Sequence, residues 1–284
     1  MNKLLIVDGS NLLFQMFFGM PARIVNEQGK AIQGTLGFVG ALLKIIRKTE
    51  PTHIVVLFDG EHEHENDRST LDSDYKANRV DYSETPEEET PFSQLPDVYA
   101  ALDYLGIKHT ETIACETDDL IAGYALTYGQ DNEIIISSFD SDFFQLITDK
   151  VSVLRYRGDN TVICTPEYVK DKFSITPLLY ADFKSLTGDA SDNIKGADKV
   201  GPKTAALLLN EFGTLENIIT NADGIKKPSI KQSIIKNAEK LRTNYKIIKL
   251  DNSAPLPFAM NELVYNFNGI TTSEVLKEIG LKKR

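Results

Sequence analysis

The sequence has little of what marks several protein classes. Of its 284 residues none is Trp, two are Cys and four are His. Cys115 and Cys164 cannot form a disulfide framework or a zinc site, which favours a reducing, cytoplasmic compartment. No apolar run approaches the ~20 residues of a membrane span, and the apolar start of the chain is too short for a signal peptide. The motifs Gly-x-x-x-x-Gly-Lys-Ser/Thr and Gly-x-Ser-x-Gly are also missing, so neither an ATPase nor a serine hydrolase is indicated.

The chain also lacks a net positive charge: its formal net charge at pH 7 is −10. The charge is unevenly distributed. Residues 195–284 hold 15 Lys/Arg against 9 Asp/Glu, whereas residues 1–194 hold 16 against 32. An acidic half that can bind metal, joined to a basic half, is typical of a nuclease. An acidic protein with a solvated basic helix is the alternative interpretation of the same charges.

Short runs rich in Val and Ile alternate with longer helical patterns, which predicts an α/β fold with a largely parallel central sheet. The predicted strands are Lys3–Val7, His53–Phe58, Ile107–Ile113 and Glu133–Phe139. The predicted helices are Thr35–Lys48, Phe92–Leu105 and Asp118–Tyr128. Thr117 is the expected N-cap of the last helix, and Gly129 is its expected end.

The second half of the chain has a different pattern. Val151–Tyr156 and Thr161–Cys164 are expected to form a hairpin. After Thr165 the pattern is helical throughout. We therefore predict an α/β domain over residues 1–175 and a helical domain over residues 176–284. The polar and acidic stretch Ser83–Thr90 is expected to be an exposed loop.

Four predicted strands each lead into a carboxylate. Because the carboxyl ends of parallel strands line the ligand crevice of an open α/β sheet, these acids should converge. They are Asp8, Asp59, Glu116 and Asp140. Five further acids adjoin them or come from the second half of the chain. These are Asp118, Asp119, Asp142, Asp189 and Asp192.

Nine carboxylates directed at one place would repel each other unless cations neutralise them. An all-oxygen ligand set points to Mg²⁺ or Mn²⁺ rather than zinc. Two or more such ions could support in-line cleavage of a phosphodiester bond. A glycine-containing turn, Gly196–Gly201, then precedes a predicted helix that begins with Lys203. Such turns present backbone N–H groups to phosphate. Together these features indicate an enzyme that cuts a nucleic-acid backbone.

The chain resembles the 5′ nuclease (flap endonuclease-like) family, as in the N-terminal domain of bacterial DNA polymerase I and in phage 5′ nucleases. The resemblance covers nearly the whole chain, in order, and fills all nine carboxylate positions of the family. No polymerase segment follows within these 284 residues, so the expectation is a free-standing bacterial version. The matching motifs are Val7-Asp8-Gly9, Phe58-Asp59, Tyr75-Lys76-Ala77-Asn78-Arg79, Glu116-Thr117-Asp118-Asp119, Asp140-Ser141-Asp142, Gly188-Asp189-Ala190-Ser191-Asp192-Asn193 and Val200-Gly201-Pro202-Lys203-Thr204-Ala205.

The resemblance implies a PIN-like or resolvase-like fold with a helical arch at about residues 75–94. It also implies a helix–three-turn–helix, a helix-hairpin-helix type of motif, at about residues 188–212. The implied substrate is DNA with a free 5′ end or a 5′ flap at a single-strand/double-strand junction, cut by 5′-3′ exonuclease or flap endonuclease activity in replication and repair. A monomer associated with the nucleoid, cooperating with a DNA polymerase, is expected.

The resemblance also assigns roles to residues. Lys76 is expected at the scissile phosphate, with Arg79 as a second phosphate-binding cation. Further DNA contacts are expected from Arg68, Lys195, Lys199, Gly201, Lys203 and Thr204. A monovalent cation such as K⁺ is implied at the helix–three-turn–helix.

The chain departs from the family pattern at several positions. Gln15 stands where the family usually has Arg, and Asp67 stands where it usually has Phe. In the turn, Ala197 replaces a Val and Lys199 replaces a Gly, which adopts positive φ more easily than Lys does.

Two alternatives differ in kind from a DNA-cleaving enzyme. A non-catalytic DNA-junction binding module would keep the fold but not the acids, so the complete carboxylate set disfavours it. An RNA-cleaving PIN-like nuclease would share the sheet, but the duplex-binding motif in the basic region favours DNA.

Overall fold

The computed structural model describes residues 2–60, 67–80, 82, 84–112 and 115–282. Its main sheet has six strands, β1 to β6 in chain order, and they are Lys3–Asp8, His53–Phe58, Lys108–Glu111, Glu133–Ser137, Val151–Arg155 and Val162–Cys164. The spatial order is β3-β2-β1-β4-β5-β6, with every pair parallel except β5 and β6. The order reverses at β1, which places a topological switch point there.

Eleven α-helices lie in the described residues, α1 to α11 in chain order. They are Gly9–Gly19, Gln33–Thr49, Asp67–Leu71, Leu95–Tyr104, Thr117–Tyr128, Pro166–Phe173, Tyr180–Thr187, Pro202–Phe212, Leu215–Thr220, Pro228–Ile248 and Thr272–Glu278. Two short antiparallel strands, β7 (Gly188–Asp189) and β8 (Ile194–Lys195), form a hairpin after α7.

The sheet is buried on both faces, as its near-continuous Val, Ile and Leu runs predict for parallel strands. Successive residues of β1 point to opposite faces: Leu5 and Val7 pack with α1, α2 and α4, whereas Leu4 and Ile6 pack with α5 and the C-terminal helices. Helices of the second half of the chain therefore share a hydrophobic core with one face of the sheet.

The predicted strands are confirmed with small changes at their ends, and β5 and β6 form the predicted hairpin. The prediction for β3 ended at Ile113, which lies outside the described residues. Thr117 is not the N-cap of α5. It is the first residue of that helix, and its hydroxyl lies 3.1 Å from the hydroxyl of Thr112. Gly129 is the C-cap, as expected.

The predicted helix Phe92–Leu105 is divided into two pieces. A 3₁₀ helix over Pro91–Gln94 precedes α4. Pro96 has no N–H to donate to the carbonyl of Phe92, so an α-helical ladder cannot run through this point. The expectation of helices throughout after Thr165 is likewise wrong at β7 and β8.

The segment implied to be a helical arch, residues 75–94, contains turns and two short 3₁₀ helices, Glu87–Glu89 and Pro91–Gln94, among its described residues. Asp81 and Ser83 lie outside the description. Pro86 and Pro91 remove backbone donors, and consecutive glutamates repel one another, so the sequence opposes a longer helix here.

Candidate metal centre

Four carboxylates converge at the carboxyl edge of the sheet, and we call them the sheet-edge group: Asp8, Asp59, Asp118 and Asp140. Asp8 ends β1 and caps α1, accepting from the backbone N of Asn11 at 3.0 Å. Its other oxygen accepts from the Ser138 hydroxyl at 2.8 Å. Burial, with the charges of Asp59 and Asp140, raises the pKa of Asp8 to about 7.

Asp118 lies in the first turn of α5 and faces the same group. Burial raises its pKa well above the ordinary value, and the negative charges of Asp140, Asp8 and Asp59 raise it further. The ion pairs of this region in the described part of the chain go to other carboxylates. The sheet-edge group therefore concentrates negative charge, and no cation among the described residues forms an ion pair with it.

Three more carboxylates form a second group, the hairpin group: Asp142, Asp189 and Asp192. The β7–β8 hairpin carries the last two, and one oxygen from each of the three acids lies within 4.8 Å of the others. The backbone N of Asp142 donates to Asp140 at 2.7 Å, which joins this group to the sheet-edge group.

A buried lysine neutralises the hairpin group. Lys184 on α7 is 6% exposed, and its ammonium forms ion pairs with both Asp142 and Asp189. Burial alone would lower the pKa of Lys184, but the two carboxylates outweigh it and hold that pKa above its usual range. Burial still raises the pKa of Asp142 to about 7, whereas Lys184 holds that of Asp189 below its ordinary value.

Glu116 and Asp119, at the start of α5, are held by cations from the preceding segment. Arg68 contacts Glu116 and lies 2.7 Å from Asp119, and Lys76 Nζ lies 2.8 Å from Glu116. The N–H of Asp251 also donates to Asp119 at 2.8 Å. Although burial opposes it, the charges of Lys76 and Arg68 lower the pKa of Glu116.

The turn at residues 73–78 brings Lys76 to the site. Lys76 has a left-handed backbone, with φ of 57°, and its N–H donates to the Asp192 carbonyl at 3.0 Å. Arg79, at the end of the turn, lies 3.2 Å from the Asp192 carboxylate but remains 57% exposed.

The turn after the hairpin begins with a close backbone contact. A Cβ on Gly188, which has φ of 81°, would lie 2.5 Å from the Gly196 nitrogen, so only glycine fits there. Lys199 adopts φ of 64°, the conformation for which the family pattern has glycine. Gly201 caps α8, and Lys195, Lys199 and Lys203 are exposed around it.

These residues fit divalent cations. Buried carboxylates whose pKa values are raised by one another gain most from a hard cation, and every donor here is oxygen. In the sheet-edge group Asp8 and Asp118 have pKa values raised in this way, and no ammonium or guanidinium in the described residues forms an ion pair with them. The hairpin group meets this description only in part, because Lys184 already supplies positive charge between Asp142 and Asp189.

Comparison with known families matches this architecture. The family described as 5′-3′ exonuclease, N-terminal resolvase-like domain, matches residues 3–174, and the 5′-3′ exonuclease, C-terminal SAM fold, matches residues 175–269. The chain belongs to the 5′-3′ exonuclease family. Members of this family that are similar to it include DNA polymerase I of Streptococcus pneumoniae R6, 35% identical over 93% of this chain and 30% of that protein. DNA polymerase I of Bacillus subtilis is 32% identical over 98% of this chain and 31% of that protein.

The chain thus spans about 30% of the length of these curated relatives. Among solved structures, the flap endonuclease of bacteriophage T5 in complex with DNA and metal ions is similar, with a TM-score of 0.71. It is 20% identical, over 98% of this chain and 94% of that one, which supports the family fold. No helix in the described part of the exonuclease chain has the length and apolar character needed to cross a bilayer.

The structure thus brings seven of the nine predicted carboxylates into two adjoining groups and ties Glu116 and Asp119 to Arg68. Arg68, expected to contact DNA, is 7% exposed and lies among these acids and the Lys249 carbonyl. Lys76 and Arg79 lie beside the site, and Lys195, Lys199, Gly201 and Lys203 lie exposed on the turn. Their roles stay predictions.

Sequence reasoning missed Lys184. Nothing in the local sequence signals this lysine, because the burial of every residue of Tyr180–Leu186 is known only from the structure. It also missed the contact that Gln15 makes where the family usually has Arg. Its amide donates to the Tyr156 carbonyl at 2.7 Å and ties α1 to the end of β5.

Proposed function

We propose that this chain is a divalent-metal-dependent 5′ nuclease that hydrolyses phosphodiester bonds of DNA at 5′ ends and 5′ flaps. The observation that carries the proposal is the sheet-edge group, in which burial and the charges of neighbouring carboxylates raise the pKa of Asp8 and of Asp118. An arrangement that raises the pKa of two carboxylates in this way costs stability, and in a nuclease it is explained by the cations that it binds.

The sheet-edge acids, with Asp142, Asp189 and Asp192, would hold the cations. Mg²⁺ is the ion we propose, with Mn²⁺ as a substitute, because both accept all-oxygen ligand sets. When bound, such ions supply the charge that activates water and stabilises the leaving oxygen of a phosphodiester.

Lys76 supplies a positive charge from the protein itself, in addition to the bound cations. Its ammonium lies on Glu116, at 2.8 Å, and is 20% exposed, so a phosphate entering the site can take the place of that partner. A cation held there stabilises the charge that develops on the phosphoryl oxygens in the transition state. Arg79, more exposed and on the same turn, would hold a neighbouring phosphate.

Grip on the duplex would come from the turn at residues 196–201 and the start of α8. The free N–H groups at the helix start favour phosphate, and Lys195, Lys199 and Lys203 surround them. A K⁺ ion bound by this turn belongs to the same proposal, and it is tested by comparing duplex binding in K⁺ and Li⁺.

The test is incubation with end-labelled flap, duplex and single-stranded DNA, in Mg²⁺, Mn²⁺ or excess chelator. We expect cleavage near the junction of the flap in both metals and none in chelator. Junction binding without cleavage in any metal would favour the non-catalytic module instead. End-labelled single-stranded RNA is included in the same assay, and its preferential cleavage would favour a PIN-like ribonuclease.

The setting of this activity is part of the proposal. A monomer in the cytoplasm, near the nucleoid and working with a DNA polymerase, is supported by the resemblance to DNA polymerase I. Gel filtration tests the monomer, and gap-filling assays with a polymerase test the cooperation.

A further inference from the structure

Two segments far apart in the chain hold each other by reciprocal amide hydrogen bonds. The Asn78 side chain donates to the Ala190 carbonyl at 3.0 Å, and the Asn193 side chain donates to the Asp74 carbonyl at 2.8 Å. Between them the Lys76 N–H donates to the Asp192 carbonyl at 3.0 Å. We call these three bonds the interlock; they join segment 74–79 to the 190–193 turn of the β7–β8 hairpin.

The backbone at the centre of the interlock is in an unfavourable conformation. Lys76 and Asn193 have φ of 57° and 59°. Asn tolerates this left-handed region, whereas Lys adopts it rarely. Such a residue keeps its conformation when its surroundings fix it from several sides. The interlock supplies that restraint, because it holds the chain before, at and after Lys76.

Restraint of the backbone fixes where the Lys76 ammonium lies. With its φ positive, the side chain runs over the Tyr75 ring, 4.8 Å from the centroid, to Glu116. The Tyr75 ring itself packs on Ala181, Ile194 and Ile248, beneath the hairpin. If the backbone relaxed to negative φ, the Lys76 side chain would leave along a different direction.

We infer that Asn78 and Asn193 are positioning residues, which set the Lys76 ammonium for the scissile phosphate by holding its backbone in the left-handed conformation. This inference rests on the proposed function. Both amides lie in exposed positions, so water can replace their bonds and their loss should leave the global fold intact. The loss should instead appear in the placement of Lys76.

The first experiment compares Asn78→Ala and Asn193→Gly with Asn210→Ala. Glycine keeps the positive φ accessible at position 193 while it removes the amide. Asn210 is the matched control, because its exposed amide also donates to a backbone carbonyl, that of Ser174 at 2.8 Å, away from the site. We expect single-turnover cleavage at saturating flap DNA to fall about tenfold or more in the first two variants, as for a displaced catalytic group. The DNA dissociation constant and the melting temperature should stay at the control's values.

A second measurement does not depend on cleavage of DNA. Limited trypsin digestion without metal or DNA, followed by mass spectrometry, reports access to the Lys76–Ala77 bond. Digestion there should be faster in both interlock variants than in wild type and in Asn210→Ala. Digestion unchanged from the control would overturn the inference.

A double-mutant cycle decides whether the asparagines act through Lys76. In a Lys76→Ala background, Asn78→Ala should have little further effect on the single-turnover rate, because the group it positions is gone. Additive losses would overturn the inference. If the wild type cleaved no DNA at all, the proposed function would fail, and the trypsin comparison would still decide whether the interlock restrains residue 76.

Discussion

The sheet-edge group and the hairpin group adjoin each other, yet their charges are handled in opposite ways. In the hairpin group Lys184 and Arg79 form ion pairs with Asp142, Asp189 and Asp192. In the sheet-edge group hydroxyl and backbone donors approach Asp8, but no Lys or Arg in the described part of the chain pairs with it. Protein cations offset part of the charge of the hairpin group, whereas the charge of the sheet-edge group has no such partner in the described part of the chain.

The comparison shows that neighbouring carboxylates can differ in whether the protein itself supplies their counter-charge. Pairing does not remove every cost, since burial raises the pKa of Asp192 despite Arg79 and Lys76. The two groups should differ in how stability responds when one residue is removed. Removing an acid from the sheet-edge group relieves the repulsion between its carboxylates. Removing Lys184 leaves the repulsion between Asp142 and Asp189 uncompensated.

The largest effect is expected for Asp118→Asn. Cleavage of a flap at saturating DNA should fall by about 10³-fold, roughly 4 kcal/mol of barrier, because the site loses cation-binding charge. In chelator the same variant should be more stable than wild type, since a buried carboxylate with three acidic neighbours is gone. Asp131→Asn, on the exposed surface after α5, is the matched control. Denaturant unfolding measures the stability of the two variants, and single-turnover rates measure their cleavage. Cleavage by Asp118→Asn at the wild-type rate would contradict the role given to the sheet-edge group.

Lys184→Met should have the opposite effect on stability. In chelator the free energy of unfolding should fall by about 3 kcal/mol, because two buried carboxylates lose their cation. Added Mg²⁺ should restore part of the loss by taking the place of the ammonium. Lys172→Met, an exposed lysine on α6, should change little. A destabilisation that Mg²⁺ leaves untouched would mean that Lys184 acts by packing alone.

A pH titration of stability in chelator comes next in size. The pKa of Asp8 rises from 3.8 to about 7 on folding, so the folded state holds a proton that the unfolded state releases. Asp8 should therefore make stability fall as pH rises, by roughly 2 kcal/mol between pH 5 and pH 7. The raised pKa values of Asp118 and Asp142 should add to the fall in the same direction. Asp8→Asn should reduce the slope by its own share, and saturating Mg²⁺ should reverse the slope. A wild-type profile in chelator that is flat over this range would contradict the unpaired state of the sheet edge.

The smallest effect is expected at the exposed end of the hairpin group. The side chain of Arg79 is 57% exposed, whereas the side chain of Lys184 is 8% exposed. Solvent therefore weakens the ion pair between Arg79 and Asp192. Arg79→Gln should change the free energy of unfolding by about 0.5 kcal/mol or less. Chemical denaturation measures it. A loss as large as that of Lys184→Met would show that burial does not set the strength of pairing in this group.

The sequence predicted what depends on short-range pattern. Buried strands give continuous apolar runs, and parallel strands must end at one edge, so strand pattern alone predicts that Asp8, Asp59 and Asp140 lie together. The glycine turn and the lysine at the start of α8 followed from helix-end chemistry in the same way.

The features that the sequence analysis missed or predicted wrongly depend on contacts that no local pattern encodes. Thr117 is a good capping residue by propensity, but the hydroxyl of Thr112 engages it and Glu116 takes the cap position. Lys184 bonds to Asp142, which lies 42 positions away in the sequence, and Asn78 bonds to Ala190, which lies 112 positions away. The residue type does not signal the left-handed backbone of Lys76 or Lys199 either, although at position 199 the glycine of the family pattern pointed to it.

The contact between Gly188 and Gly196 joins the β7–β8 hairpin directly to the turn that follows it, backbone against backbone. The Ala197 N–H donates to the Leu186 carbonyl at 2.9 Å, and the buried Asn244 amide bridges the Ser185 and Lys195 carbonyls at 3.1 and 3.0 Å. With no side chain between the two backbones, a shift of the turn at residues 196–201 should move Asp189 and Asp192 with it. For the proposed nuclease, the distance from the duplex contact to the cleaved bond would then be set by main-chain geometry, and we expect the cleavage position to be insensitive to side-chain conformation.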